Sequence, residues 1–191
     1  THPYLLGGRT SVADCALMGP LFGHLFNDLV SRRLLLESAV PVVGWIERTN
    51  VPDPAARGAW LADDALAPGM RQLLQVMGRD AVPSLMEVVQ TLEAWVDTAR
   101  PEELDRPPRA VGRARAPLRG VVLERVAMPY TLWMVQRTLA AYRSLPEPER
   151  VQVDRALEGS GWEPLLASVL RHRVAKRGFQ LVIERHAGGG R

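Results

Sequence analysis

YLLGGRTSVADCALMGPLFGHLFND, residues Tyr4–Asp28, is the segment around which the rest of the chain is organised. It reads as a tight glycine turn feeding a capped, nearly all-apolar helix. Ser11 is the natural N-cap, since its hydroxyl can accept the otherwise unpaired N–H of Asp14. Asp14 can reach back to the Ser11 N–H, giving a reciprocal capping box with Asp where Glu or Gln is usual. Its carboxylate also lies at the positive end of the helix dipole. Cys15, Leu17, Met18, Leu21, Phe22, Leu25 and Phe26 then cover more than one helix face, which predicts a helix buried among others. Only His24, Asn27 and Asp28, near its end, offer polar contacts.

Within this stretch LLGGRTSVADCAL resembles the start of the central helix in the C-terminal, all-helical domain of glutathione S-transferases. That family carries a Gly and then a Ser/Thr-x-x-Asp box, matched here by Gly7, Ser11 and Asp14, with Ala13 also usual. PVVGWIERT (Pro41–Thr49) is similar to the next family helix, with its Pro, its Trp and an Arg near the end. The resemblance covers roughly Pro3–Thr49, with a looser likeness beyond it to long-tailed bacterial members. Thr10 and Cys15 depart from it, filling with small side chains the positions that usually form a hydrophobic staple. The resemblance implies a helical domain that lines the hydrophobic substrate pocket. It also implies a thioredoxin-like domain, upstream or in another chain, that binds glutathione and supplies the activating hydroxyl. The 191 residues thus look like a C-terminal fragment of a glutathione-transferase-like parent, with no cofactor of their own and no transferase activity alone.

Composition is compatible with a globular domain: 47% hydrophobic, 24% charged, net charge +3 and a pI near 9.6. No run of eighteen apolar residues exists, so no membrane span is expected. THPYLLGG lacks the charged and apolar regions of a signal peptide. Cys15 is the only cysteine, which excludes an internal disulfide and fits a cytoplasmic location. Lys176 is the only lysine, and the arginine richness can signal phosphate binding. A G+C-rich genome is the plainer explanation.

Further along, Ser31–Glu37 fits one or two helical turns. Pro41 suits the first turn of a helix carrying Val42, Trp45 and Ile46 on one stripe. Asn50–Gly58 is a proline- and glycine-rich break. Pro68 opens a helix with Met70, Leu73, Leu74 and Met77 on one side, interrupted at Gly78. Asp80 then caps a second helix bearing Leu85, Val88, Val89, Leu92, Trp95 and Val96. Pro101–Arg109 reads as a loop. Alternation over Ala110–Ala116 and Val121–Ala127 predicts a β-hairpin, and Phe179–Ile183 a strand joining it as a third member. Pro129–Leu145 is a helix, with Tyr130, Trp133, Met134 and Arg137 along one face. Short helices are expected before Gly159 and over Trp162–Leu170, and the tail HAGGGR has no core residues and is expected to be mobile. The fold class is therefore mainly α: a glutathione-transferase C-terminal-like core over residues 1–100, and an extension over 101–191. The extension carries a small antiparallel sheet from the hairpin at about 110–127 and a strand at about 179–184.

Catalytic motifs are missing. His2, His24, His172 and His186 form no ligand pair, so no metal site is expected. There is no nucleophile elbow and no phosphate-binding glycine loop. Cys15 follows the cap box and could be activated by the helix dipole, but a buried structural cysteine is the plainer reading. Arg106, Arg109, Arg113, Arg115, Arg119 and Arg125 invite a nucleic-acid reading. The patch lacks interleaved aromatics and has Glu102, Glu103, Asp105 and Glu124 nearby, so a solvated charged face is preferred and no nucleic acid is expected. Tyr130, Trp133 and Arg137 combine two amphipathic aromatics with a cation, which suits an anionic or aromatic small molecule, and a hydrophobic small molecule is the partner expected of the chain. The competing reading is that they clamp the hairpin to the core. Ser11 and Asp14 are taken as a structural capping box, not a catalytic pair. The alternative to a transferase-like parent is a non-enzymatic module for protein interaction or small-ligand binding. A thioredoxin-like region upstream of Thr1 would favour the enzyme.

Overall fold

The computed structural model of the chain describes residues 2–51 and 58–185. Most of the expected break at Asn50–Gly58, and the tail from His186, lie outside the described residues. The protein is mainly helical, with nine α-helices among the described residues. No helix among them is long and apolar enough to cross a membrane. The chain divides into two compact units, Thr1–Leu73 and Leu74–Arg191. The division falls inside a helix, α4 (Pro68–Asp80).

The first unit is built on α1 (Val12–Pro20), α2 (Leu29–Ser38) and α3 (Val40–Asn50). Pro20 withholds an N–H from the helical ladder. The chain continues through it as a π-helical stretch, Leu21–Phe26, with the Asn27 N–H donating to the Phe22 carbonyl at 3.2 Å. Asp28, at the expected end of the first helix, caps the next one instead, its carboxylate accepting from the Val30 and Ser31 N–H groups. Ahead of α1, Gly7 takes φ +131° and bridges to Trp60, and a Cβ there would meet the Ala59 carbonyl at 2.8 Å. This is the close approach that requires glycine.

The expectation that α1 is buried on several sides is corrected. Asp14 is its only buried residue, while Leu17 and Met18, with Leu21, Phe22 and Phe26 of the π-helical stretch, are half-buried and Leu25 is exposed. Cys15 is exposed rather than structural. Within the unit the helix meets α3, and its π-helical continuation meets α2 and α3. Buried apolar side chains in the unit are few, chiefly Tyr4, Val43 and Ile46.

The second unit is organised by α5 (Val82–Thr98), which packs on β1 (Gly112–Leu118), β2 (Val121–Ala127) and α7 (Pro129–Arg143). Its stripe Val88, Val89, Leu92 and Val96 is buried with Leu132, Val135 and Leu139 of α7 in one apolar core. Asp80 ends α4 and does not cap α5, whose N-cap Ala81 makes no side-chain bond. Gly78 does not break α4: it lets the Ser160 carbonyl approach to within 2.0 Å of where a Cβ would be. Residues expected as loop form a short helix, α6 (Pro101–Asp105). Two short helices follow α7: α8 (Glu147–Leu157) and α9 (Glu163–Ala167).

The small sheet expected from the sequence is two separate antiparallel pairs, β1–β2 and β3–β4. β1 runs on through Pro117, which is tolerated because this strand has a neighbour on one side only. The turn at Arg119–Gly120 has positive φ at both residues, 48° and 84°, as a two-residue hairpin with type I′ geometry requires. The strand around Leu181 does not join this hairpin. It is β4 (Gln180–Arg185), paired with a strand absent from the sequence-based expectation, β3 (His172–Arg177). Closing a two-residue turn at Gly178–Phe179 costs far less chain entropy than reaching back to residue 127. Polar β3, HRVAKR, alternates weakly and was hard to read as a strand.

Candidate functional site

Asp14 is the organising polar group of the first unit. It is fully buried. Its Oδ2 accepts the Ser11 N–H at 2.9 Å and the Ser11 hydroxyl at 2.6 Å, and the Ser11 Oγ accepts the Asp14 N–H at 3.3 Å. Oδ1 accepts the Leu5 N–H at 3.0 Å and the Trp45 indole N–H at 2.9 Å. The capping box is therefore present, and it also ties the entry loop to α3. Burial pushes the carboxyl up, but the donors from Ser11, Leu5 and Trp45 outweigh it and hold Asp14 below its ordinary value. Trp45 also lines a shallow cavity of about 350 Å³ with His2, Tyr4, Leu5, Pro68 and Met70. This arrangement can hold an apolar body.

In the second unit Leu132, Val135 and Leu139 turn inward; Tyr130 and Arg137 are exposed, while Trp133 is half-buried against the apolar core. The three are together. The Tyr130 and Trp133 rings are 5.4 Å apart, and the Arg137 guanidinium lies 4.8 Å from the Trp133 ring centre. Lys176, on β3, brings its ammonium to 5.5 Å from the same ring. Tyr130 opens onto a groove of about 450 Å³ whose other walls include Pro107, Pro108, Arg109, Met128, Phe179 and Leu181. Trp133 and Arg137 lie beyond its lining. Lys176, Phe179 and Leu181 were missed as site residues. Their proximity to α7 depends on β3–β4 pairing, which no local pattern around Trp133 announces.

A third cluster joins residues more than seventy positions apart. Arg171 donates to Glu93 and Asp97, and the His172 Nε2 lies 2.8 Å from Asp97 Oδ1. Arg185 donates to the carbonyls of Val96, Asp97 and Ala99 at the end of α5. Hydrogen bonds from Arg171 and then His172 hold Asp97 below the ordinary carboxylate value. The cluster fastens β3–β4 to α5, and His172 is buried with Nδ1 unpartnered among the described residues. The arginines of the first hairpin are engaged too: Arg113 and Arg115 with Glu124, Arg119 with Asp80, Arg125 with the Ser84 hydroxyl. Among the described residues, no group of three or more His, Cys, Asp or Glu could hold a metal ion.

No family model matches the chain, and neither a curated protein nor a solved structure does.

Proposed function

We propose that this polypeptide forms the hydrophobic substrate-pocket side of a glutathione-transferase-like protein and is not a complete catalyst alone. The observation that carries the reading is the Asp14 node. The glycine turn, the Ser11 cap and Trp45 are the separate places where the sequence resembles that family, and one buried carboxylate joins the loop at Leu5, the cap and Trp45. The cavity beside Trp45 is consistent with a wall for an apolar electrophile. Its glutathione would come from a thioredoxin-like domain upstream or in another chain, as in the family it resembles.

Two measurements test this. Mixing the chain with glutathione and 1-chloro-2,4-dinitrobenzene is expected to give the protein-free rate, and clear turnover would overturn the incompleteness. Titration with the unreactive 1,3-dinitrobenzene is expected to quench tryptophan emission saturably, with the saturable part lost in Trp45→Phe. Its persistence in that variant would remove the pocket reading.

A second reading, a non-enzymatic interaction module, is favoured by the apolar side chains the first unit leaves exposed, among them Leu29, Val30 and Leu34. It predicts no saturable dinitrobenzene site at Trp45.

A further inference from the structure

The geometry points to a second, independent ligand site in the Leu74–Arg191 unit: the groove beside Tyr130 takes a small amphipathic anion, an apolar or aromatic body carrying one carboxylate, sulfonate or phosphate. The body lies against Met128, Tyr130 and Leu181, and the anionic group meets Arg137 and Lys176.

Three observations converge on it. First, Arg137 and Lys176 both approach the ring of Trp133, at 4.8 and 5.5 Å. Each is attracted by the ring's negative face, but two cations on one indole repel each other. Among the described residues neither has a carboxylate within ion-pair distance, whereas the neighbouring Arg177 is engaged by Glu184. An anion that reaches them supplies the counter-charge that neither has among the described residues. Second, Lys176 stands directly opposite Leu181 in the β3–β4 register. Leu181 is a wall of the groove, so Lys176 stands beside that wall on one sheet, while Arg137 comes to the same indole from α7. Third, the groove is concave and largely apolar, and its volume of about 450 Å³ falls where small-molecule sites fall. Phe179 completes it: Gly178, at φ +61°, makes the tight turn that leaves this ring fully exposed at the hairpin tip, and the ring still lines the groove.

A flat basic patch for a lipid surface would need neither the groove nor the cations held over an indole. A free amphipathic anion uses both.

The probe is 1-naphthaleneacetate, compared by titration calorimetry with its neutral amide on the full 191-residue chain. The anion is expected to bind at least tenfold more tightly than the amide. Arg137→Gln or Lys176→Gln should each weaken the anion at least fivefold without moving the amide, and the double variant should remove most of the anion's advantage, Arg109 on the groove wall being the cation that remains. Tyr130→Ala should weaken both. Arg137, Lys176 and Tyr130 are all at the surface, and far-UV circular dichroism of each variant verifies folding. Equal affinity for anion and amide overturns the proposal. So does an equal loss in Arg33→Gln, a surface change in the other unit, because it would mark diffuse charge as the cause. Binding to vesicles containing phosphatidylserine that is lost in Phe179→Ala, with no binding of the free anion, replaces it with a lipid surface.

Discussion

Asp14 and Leu92 are both fully buried, yet they hold their units together in different ways. Leu92 sits in an apolar cluster drawn from α5, α7 and both hairpins, where side chains fill space against one another. Asp14 is surrounded by donors, and the apolar residues around it are few. A core of the first kind is stabilised by area removed from water and is insensitive to pH. One of the second kind depends on a charged acceptor staying charged and its donors staying aimed. The contrast explains why the first unit can keep a defined loop-to-helix geometry while leaving Leu29, Val30 and Leu34 in solvent. Directional bonds specify a shape without covering an apolar face.

Truncating each core and following each unit separately by hydrogen exchange tests the difference directly. Leu92→Ala should cost about 2–5 kcal/mol, as cavity-forming core truncations do. The loss of protection should be confined to Leu74–Arg191. Asp14→Asn should cost roughly 1.5–3 kcal/mol, because an amide group would face the Ser11 N–H with a donor of its own. Loss of protection in the second unit rather than the first would mean the node is not what organises the first.

The same substitution carries a pH signature. Asp14 is held below its ordinary value in the folded chain, so its contribution is full above the unfolded pKa of about 4 and is lost as pH falls through the folded one. The stability gap between the native chain and Asp14→Asn should be constant near neutrality and close in acid. A gap that widened in acid would contradict the assignment. The smallest effect is expected for Trp45→Phe, about 1 kcal/mol for one indole hydrogen bond. A zero effect in a denaturant melt would mean that the indole does not share in holding the carboxylate.

How much of this was legible varied with distance along the chain. The Ser11–Asp14 box could be read directly, because donor and acceptor are three residues apart and their geometry follows from helix formation itself. The partners Leu5 and Trp45 lie nine and thirty-one positions away, and no spacing rule connects them. On α7 the aromatics and Arg137 were legible as one stripe from helical periodicity. Whether that stripe faced in or out was not, because both faces carry apolar residues and only the packing of Leu132 and Leu139 against α5 decides it. β3 was missed because four of its six residues, His172, Arg173, Lys176 and Arg177, are polar or charged. Its strand character comes from pairing with β4.

The sequence by itself determined the helical class, the capping box, the first hairpin and the company of Tyr130, Trp133 and Arg137. All of these rest on contacts local in sequence, along a helix or across one tight hairpin turn, where backbone geometry leaves little choice. Packing between distant segments settles which apolar faces are covered, that the four strands form two sheets, and that Lys176 meets Trp133. Those outcomes depend on which distant segments win the competition to exclude water and close short loops, and that competition is not written in any one segment.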